Sequence, residues 1–269
     1  MAMALAAVLT TGCAQSSSSP TRGGIIGRQG SIGAADLRAW RAQFEAREFQ
    51  STSGMVVPYR IAAPPAGTPR PLVLVLHGKG EMGSDNRRQL TPLAASWVRL
   101  HQYSDIAPII VAPQVDVRSA DYDMCGAIRC ASRPGPSFEA LLESLYDITS
   151  SEAVDASQIH MVGFSMGGAT AMLLALARPE LAAGLTIFGA VPPHRDRAPE
   201  LTGPKLHVVQ GTRDWNHPLH VMQDWIDGLN AAGGNAVLEI RDGMKHKVPG
   251  DMVVDKRWRL GLLQPEDGS

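Results

Sequence analysis

The feature that most constrains the fold of this chain is the segment Gly163–Gly167, which reads Gly-Phe-Ser-Met-Gly. It follows a short apolar run over 159–162 and precedes a long apolar stretch over 169–177. This order predicts a strand, a sharp turn and a helix, with the Ser165 hydroxyl raised above the strand end. Such a turn needs small neighbours, and glycines on both sides of the serine supply them. Ser165 is therefore the candidate nucleophile; the alternative is a glycine-rich turn that contains a serine by chance.

The rest of the chain alternates between strand-like and helix-like segments. Continuous apolar runs are typical of strands buried on both faces, and we predict strands at 55–62, 72–76, 109–111, 159–163, 185–190, 206–210 and 236–240. Helical spacing of apolar residues predicts helices over 137–149, over 168–177, around 222–229 and over 253–263, with a looser helical pattern at 36–49. The alternation predicts an α/β fold with a mostly parallel central sheet and helices on both faces.

Three details sharpen this prediction. Pro58 lies inside the first predicted strand and favours a place at the sheet edge. Ser137 is expected to cap the helix that follows it. The stretch 114–136 reads as a long polar loop, and long loops in compact domains are often functional.

Composition limits the classes of function. The chain has 269 residues, of which 44% are apolar, which suits one large α/β domain over 36–269. There are 25 basic and 26 acidic residues, so the net charge of −1 gives no electrostatic reason to expect nucleic acid as a partner. The sequence contains no apolar run of the ~20 residues that a membrane-spanning helix needs.

The N-terminus predicts export. Residues 1–13 are apolar and then small, which is typical of a signal peptide, and the end Leu-Thr-Thr-Gly-Cys resembles a bacterial lipobox with Cys13 as the acylated residue. Leu9 lies four residues before Cys13 instead of three, and no basic residue precedes the apolar run, so the natural start is expected upstream. An ordinary signal peptide is the alternative. Residues 14–35 read as a flexible tether. We expect a lipoprotein of the cell envelope, attached to the membrane through the lipid alone, or a secreted protein if Cys13 is not acylated.

The two remaining cysteines suit an oxidising compartment. Cys125 and Cys130 form an even pair in a chain with an export signal, which favours a disulfide between them over two free thiols. The loop they would close is short, so its expected role is to stiffen one surface loop.

A serine nucleophile needs a base, and the base needs an orienting acid. Asp214 follows the predicted strand 206–210, and His246 follows the strand 236–240. The order Ser165, Asp214, His246 is the order of a catalytic triad in a sheet of this kind. There are alternatives to this assignment: Asp214 could be a turn residue, Asp242 could be the acid in its place, and His246 could be a surface histidine. His217 and His220 rank lower as bases, because each lies too near Asp214 to come from a separate loop.

The tetrahedral intermediate of acyl transfer needs two backbone N–H donors at its oxyanion. One is expected from Met166, the residue after the nucleophile. The other is expected from the glycine-rich loop after strand 72–76, with Lys79 as the first candidate and Gly80 as the second. The sequence contains no His-Glu-x-x-His and no Cys-x-x-Cys motif, so it predicts no metal site and no cofactor.

Taken together, three segments resemble the α/β-hydrolase superfamily: Leu76–Asn86 (Leu-His-Gly-x-Gly-Glu-x-Gly-Ser-Asp-Asn), Gly163–Gly168, and Gly211-x-x-Asp214-x-x-x-Pro218. Within it the chain is similar to the prolyl-oligopeptidase-like predicted peptidases and to the phospholipase/carboxylesterase group, near polyhydroxybutyrate depolymerase-type esterases. The likeness runs from about Phe44 to about Pro249. Two positions depart from the group: His217 stands where valine is usual, and Lys245 where glycine usually precedes the histidine.

The resemblance implies an acyl-enzyme mechanism with the triad named above. We therefore expect a serine esterase acting on a small ester; a serine peptidase on short peptides and a non-catalytic binding protein of the same fold are the alternatives. Only Tyr122, Phe164 and Trp215 are aromatic residues near the motif loops, which suggests a modest acyl pocket and a preference for short, uncharged esters. The acyl and alcohol groups and the oligomeric state are not determined by the sequence.

Overall fold

The computed structural model of the protein describes residues 32–65, 67–103, 106–255 and 257–263. The predicted signal segment, Cys13 and most of the tether lie outside the described residues. Ten strands are assigned in these ranges: β1 (Glu45–Gln50), β2 (Val56–Ala62), β3 (Arg70–Leu76), β4 (Ile109–Pro113), β5 (Ala120–Cys125), β6 (Ile128–Pro134), β7 (Val154–Phe164), β8 (Gly184–Phe188), β9 (Lys205–Gly211) and β10 (Asn235–Arg241).

Seven α-helices are assigned in the same ranges: α1 (Ala34–Arg41), α2 (Pro92–Ala95), α3 (Phe138–Ser151), α4 (Met166–Ala177), α5 (Leu219–Ala231), α6 (Gly250–Val254) and α7 (Arg257–Leu263). Short 3₁₀ helices occupy Lys79–Glu81, Ser96–Gln102, Pro179–Leu181 and Arg195–Leu201. Within the described part of the chain, no helix is both long and apolar enough to cross a membrane.

Eight strands form one mixed sheet in the order β1-β2-β4-β3-β7-β8-β9-β10. The strands from β4 to β10 along this order pair in parallel, whereas β1 and β2 run antiparallel to their neighbours. The mostly parallel sheet predicted from the sequence is confirmed. Because parallel strands share a direction, the carboxyl ends of β3, β7, β9 and β10 meet at one edge of the sheet, which is where the motif residues lie.

Both faces of the sheet are covered. On β3, Leu72, Leu74 and Leu76 pack into the apolar cluster that contains α3, α4 and α5 residues, while Val73 and Val75 pack into a second cluster on the other face. The second cluster includes Leu93 of α2, Met252 of α6 and Leu263 of α7. Burial on both faces is the physical reason why the central strands read as continuous apolar runs.

Four local predictions were wrong. Pro58 does not mark the sheet edge, because β2 lies between β1 and β4 and the charged strand β1 forms the edge. The looser helical pattern at 36–49 holds for α1 alone; its second half is β1. The stretch 114–136 is a disulfide-closed hairpin of β5 and β6 and not an irregular loop. Ser137 occupies the N-cap position of α3, but its hydroxyl donates to the Val117 carbonyl instead of capping the helix.

Candidate active site

Ser165 lies at the turn between β7 and α4. Its backbone has φ 57° and ψ −118°, a left-handed conformation that costs energy for a residue with a side chain. The turn is held by a hydrogen bond from the Ser165 N–H to the Phe188 carbonyl, at 2.9 Å. A Cβ at Gly163 would lie 2.3 Å from the Gly167 carbonyl oxygen, so this crossing of strand and helix requires glycine. The strand, turn and helix predicted from the sequence are confirmed.

The structure brings Ser165, His246 and Asp214 together. The Ser165 Oγ lies 2.9 Å from Nε2 of His246, and the other ring nitrogen, Nδ1, lies 2.7 Å from Oδ2 of Asp214. The three residues follow β7, β9 and β10, so their side chains meet at the carboxyl edge of the sheet. Both nitrogens of His246 are thus engaged, in the order that a nucleophile, a base and an acid require.

The two loops that carry the acid and the base are packed against each other. The Arg213 N–H donates to the Met244 carbonyl at 3.0 Å. A Cβ at Gly211 would lie 2.1 Å from that same oxygen, so the loops could not approach this closely with any larger residue. Backbone contact of this kind fixes the position of His246 relative to Asp214.

Asp214 is an ionised, buried carboxylate. Its side chain is fully shielded from solvent, and burial alone raises its pKa. The hydrogen bonds from His217 and His246 more than offset the effect of burial, so the net pKa of Asp214 lies well below its ordinary value. The N–H groups of Asn216 and His217 also donate to Oδ1, each at 3.2 Å. The carboxylate therefore keeps its charge at neutral pH and can orient a histidine.

The competing acid, Asp242, makes its hydrogen bond to Thr212 and not to His246 in the part of the chain that the structure describes. Its side chain is exposed and accepts a hydrogen bond from the Thr212 hydroxyl at 3.1 Å. The structure thus pairs His246 with Asp214, as the sequence order predicts. The His246 side chain is 25% exposed, so its edge is open to solvent beside the buried acid.

His217, which the sequence analysis ranks low, lies inside the site. It is 2% exposed, its Nδ1 lies 3.3 Å from Oδ1 of Asp214, and its ring stacks on that of His246 with centroids 4.3 Å apart. Its proximity in sequence to Asp214 argued against a role as the base. The same proximity, in a three-residue turn, is what lets it reach the carboxylate. The valine-to-histidine departure from the family pattern was the signal that could have found it. His220, by contrast, is exposed on α5.

The two candidate oxyanion donors both begin a helix. Met166 is the first residue of α4, and Lys79 is the first residue of the 3₁₀ helix Lys79–Glu81, with Gly80 next. Backbone N–H groups at such positions have no partner within their own helix. The two turns touch: a Cβ at Gly167 would lie 2.1 Å from the Leu76 carbonyl oxygen. The arrangement suits two donors that face one oxygen atom.

Buried polar side chains hold the loop after β3 in place. The Val115 N–H donates to Nε2 of His77 at 3.2 Å, so the proton of that imidazole is on Nδ1 and points to the Gly78 carbonyl. Burial lowers the pKa of His77, which keeps the ring neutral. Gln114 donates to the carbonyl of Glu81 and accepts from the backbone N–H of Asn86. The loop is thus anchored to the end of β4.

Asn86 explains the end of the motif that begins at Leu76. It has a left-handed φ of 50°, and its side-chain amide donates to the carbonyls of Arg47 and Tyr59, each at 3.2 Å. The residue therefore ties the loop after β3 to both antiparallel strands. Asparagine tolerates this conformation better than most residues with a side chain.

The β5–β6 hairpin lies over the loop that carries the acid. A disulfide joins Cys125 and Cys130 near the hairpin tip, as predicted. Between these cysteines, Arg129 approaches the Asn216 carbonyl at 3.5 Å and stacks on Tyr122, whose ring meets His217 edge-on. A disulfide is typical of proteins outside the reducing cytosol, which agrees with the predicted export.

Three ligand atoms of Asp214, His217 and His246 lie within 4.8 Å of one another, a group that could in principle hold a metal ion. In the arrangement described here both histidines direct Nδ1 at the carboxylate, and Nε2 of His246 is directed at Ser165. The geometry thus fits proton transfer between serine and histidine, with the acid behind.

A serine at a strained strand-to-helix turn, with a histidine and a buried acid from two later strand ends, defines the class: a hydrolase built on an α/β sheet. The comparison with family sequences agrees. Residues 71–239 match the alpha/beta hydrolase fold, and the chain belongs to that family.

Solved structures with the same fold include both esterases and peptidases. A thermostable esterase superposes with a TM-score of 0.73 at 20% identity, over 83% of this chain and 63% of that one. The S-formylglutathione hydrolase of Staphylococcus aureus superposes with a TM-score of 0.59 at 16% identity, over 82% of this chain and 98% of that one. The acylaminoacyl peptidase of Pyrococcus horikoshii superposes with a TM-score of 0.60 at 16% identity, over 84% of this chain and 43% of that one. No curated protein sequence matches the chain. At these identities the likeness establishes the fold.

Proposed function

We propose that the protein is a serine carboxylic ester hydrolase that works through an acyl-enzyme. The observation that carries the proposal is the continuous chain from the Ser165 Oγ to His246 at 2.9 Å and from His246 to Asp214 at 2.7 Å. Ser165 attacks the ester carbonyl while His246 takes its proton and returns it to the leaving alcohol. Asp214 orients His246 and stabilises the imidazolium. The N–H groups of Met166 and Lys79, or Gly80 in place of Lys79, hold the oxyanion.

A small acyl group suits the surroundings of the site best. A cavity of about 280 Å³ adjoins the loop after β3 and includes Gly78 and Phe164 in its lining. Most of its other walls are apolar, formed by Val75, Leu76, Pro92, Leu93, Val248 and Val253. Burial raises the pKa of Glu81, which lies on the same wall, so an anionic acyl group would meet unfavourable surroundings. Short, uncharged esters are the substrates that this cavity favours.

The first experiment tests the triad. Ser165→Ala, Asp214→Asn and His246→Ala should each lower kcat on p-nitrophenyl butyrate by roughly 10³- to 10⁶-fold with the fold retained. Asp242→Asn is the matched control, because that carboxylate is exposed and bonded to Thr212. Near-full activity of the Asp214 variant together with loss in the Asp242 variant would refute the acid assignment.

The second experiment separates esterase from peptidase, the alternative that the acylaminoacyl peptidase neighbour favours. kcat/KM is measured for p-nitrophenyl esters from acetate to palmitate and for a short peptide amide. We expect a maximum among the short esters, with a visible step per methylene because each is worth ~1–3 kcal/mol in an apolar pocket. A maximum at palmitate contradicts the small-cavity argument. Faster cleavage of the amide than of any ester makes the protein a peptidase.

The third experiment addresses the remaining classes. A fluorophosphonate probe should label the wild type at Ser165 and leave Ser165→Ala unlabelled, and EDTA should leave ester hydrolysis unchanged. An unlabelled wild type would make the protein a non-catalytic member of the fold. Loss of activity with EDTA, restored by Zn²⁺, would instead assign Asp214, His217 and His246 to a metal.

We also propose that Cys13 is lipidated and anchors the protein at the cell envelope, on the strength of the apolar segment that ends Gly12-Cys13. Full-length protein expressed in bacteria should fractionate with membranes, and Cys13→Ala should release it or block maturation. Mass spectrometry that finds a mature N-terminus without lipid at Cys13 contradicts the proposal.

A further inference from the structure

Asp214 holds two histidines, one on each carboxylate oxygen. Oδ2 faces Nδ1 of His246 at 2.7 Å, and Oδ1 faces Nδ1 of His217 at 3.3 Å. The two imidazole rings stack with an interplanar angle of 16° and centroids 4.3 Å apart. A triad needs one histidine on its acid, so the second one calls for a physical explanation.

His217 is a neutral ring. Its Nδ1 faces a carboxylate, so the single proton belongs on Nδ1. Its Nε2 is buried and has no hydrogen-bond partner among the residues that the structure describes. A protonated ring would place an N–H donor there without an acceptor. Burial lowers the pKa of His217, and the nearby charges of His246 and Arg129 lower it further. The hydrogen bond to Asp214 and the charge of that carboxylate raise the pKa but do not offset the other effects.

The groups around His217 leave it no route to the substrate. Asp214 lies at one edge, His246 at one face, and Tyr122 approaches edge-on with its centroid 6.2 Å away. Arg129 lies beyond Tyr122, stacked on its ring. With an exposure of 2%, His217 acts on the reaction through His246 and Asp214.

We propose that His217 is a positioning residue for the catalytic base: its ring face holds His246 in line with Ser165 and supports the positive charge that His246 gains during acyl transfer. The inference rests on the proposed function of the site. The proton of the Ser165 hydroxyl moves to Nε2 of His246 and from there to the leaving alcohol, and His217 neither gains nor loses a proton. When His246 is an imidazolium, it has the Asp214 carboxylate at one edge and a neutral π face alongside.

A second ring also contacts His246: the centroid of Phe164 lies 4.7 Å away, with an interplanar angle of 31°. The closer and more nearly parallel ring contact is the part of this arrangement that His217 supplies. Oδ1 of Asp214 already accepts from the backbone N–H groups of Asn216 and His217, so a third donor adds less. An aliphatic side chain, such as the valine usual in the resembling group, would fill the space without a π face. We therefore expect an aromatic replacement to preserve function better than one that preserves the hydrogen bond.

Three substitutions separate these contributions. His217→Phe keeps a ring and loses the donor; His217→Asn keeps an N–H near the place of Nδ1 and loses the ring; His217→Val loses both. We expect the kcat of the Asn and Val variants to fall by about 10- to 100-fold with KM within about two-fold of the wild type, because a misplaced base slows chemistry and not binding. The Phe variant should stay within about three-fold. His220→Val, on the exposed side of the same region, is the control and should match the wild type.

Two further readouts distinguish positioning from a loss of folded protein. The acid limb of the kcat/KM profile should move by about half a pH unit to lower pH in the Asn and Val variants, because the imidazolium of His246 loses its stacked partner. The limb should stay in place in the Phe variant. A loss of folded enzyme alone would lower kcat in all three variants and leave the limb unmoved, and that result overturns the proposal, as does wild-type kcat in His217→Val.

The rate of Ser165 labelling by a fluorophosphonate keeps this test independent of the substrate. Activation of the serine by His246 governs that rate whatever the natural substrate is. Slower labelling in His217→Val than in His217→Phe supports the positioning role even if no ester is cleaved. Equal rates in the wild type and His217→Val overturn it. An unlabelled wild type means instead that the proposed function has failed.

Discussion

At the scale of single residues, the site depends on places where a side chain cannot be added. Gly163, Gly167 and Gly211 each bring backbone within contact of another backbone segment, and at each a Cβ would lie within 2.3 Å of a carbonyl oxygen. These contacts let three loops from distant parts of the chain converge on one point. The nucleophile turn stores backbone strain in Ser165, and the close packing around it holds that strain in place.

Gly167→Ala should therefore abolish the site. The new Cβ would lie 2.1 Å from the Leu76 carbonyl oxygen, so either α4 or the loop after β3 must move. We expect little soluble, folded protein and no fluorophosphonate labelling of what remains. Gly228→Ala is the matched control: it lies in α5, where a Cβ meets Ala198 at 3.8 Å, and it should raise stability by about 0.5–1 kcal/mol. Normal labelling of the Gly167 variant would contradict this account.

The sequence predicts Ser165, Asp214 and His246 as one group because each follows a predicted strand, and the structure brings their side chains within hydrogen-bonding distance. It ranks His217 low, because stacking between two side chains depends on loop geometry; the signal in the sequence was a histidine at a position where valine is usual in the resembling group. The order of Ser165, Asp214 and His246 also could not distinguish Asp214 from Asp242 on its own; in the structure it is Asp214 that lies 2.7 Å from His246.

At the scale of elements, the strands with an apolar sequence were predictable, including the partly exposed β10, and the polar ones were not. β3 and β4 are apolar on both faces, so their sequences predict strands in the buried centre of the sheet. β1 reads Glu-Ala-Arg-Glu-Phe-Gln, with two of its six side chains half-buried and the rest exposed. This composition does not predict a strand, and β1 is held in the sheet by its pairing with β2. The β5–β6 hairpin was missed for the same reason: its polar residues are ordered by pairing and by a disulfide.

The C-terminal helix α7 is held by a buried charge. Arg259 is fully buried, and its guanidinium lies 5.2 and 4.7 Å from the ring centroids of Trp97 and Trp258. It donates to the Ser96 hydroxyl at 2.7 Å and to the Asp255 carbonyl at 3.0 Å. Burial lowers the pKa of Arg259 to about 9, with the charge of Arg99 acting in the same direction, so the side chain still carries its charge at neutral pH.

Arg259→Ala should release α7 from the 3₁₀ helix Ser96–Gln102. Losing the charged hydrogen bonds and the stacked rings should lower the free energy of unfolding by about 2–4 kcal/mol, measured by urea denaturation. kcat of the folded enzyme should be unchanged, because α7 lies away from Ser165. Arg257→Ala is the control, since that side chain is 87% exposed and its ion pair among the described residues is with Asp255, and it should leave the urea midpoint almost unchanged. Equal midpoints in the two variants would refute the anchoring role of Arg259.

At the scale of the whole molecule, the sheet contains titratable groups outside the candidate site. Ser165, Asp214 and His246 lie at the carboxyl end, whereas a further buried histidine, His160, lies within β7, five residues before Ser165. His160 is 4% exposed, its Nδ1 lacks a hydrogen-bond partner among the described residues, and burial lowers its pKa to about 4. It lines a cavity together with Gly184, Lys205 and Trp258.

His160 should make the fold sensitive to mild acid. Its folded pKa lies below the unfolded value of about 6.5, so its contribution to stability is complete above that pH and is lost as the pH falls towards about 4. The wild type should lose up to about 3 kcal/mol more than His160→Leu between pH 7 and pH 4 in urea denaturation. Parallel pH dependence in the two proteins would exclude this contribution.

The pairing of β3 with β7 also sets the order of events in folding. β1 with β2 and β5 with β6 are joined by short turns, whereas Leu72 pairs with Ile159 across much of the chain. Contacts that close long loops form late, because the chain loses conformational entropy when the loop closes before the new contacts stabilise it. We therefore expect β7, which ends one residue before Ser165, to be among the last strands to be placed. During refolding of disulfide-intact protein, fluorophosphonate reactivity should return in the slowest phase, after the far-ultraviolet dichroism has recovered. We therefore expect a compact stage of folding in which the chain has most of its helices and Ser165 is not yet in place.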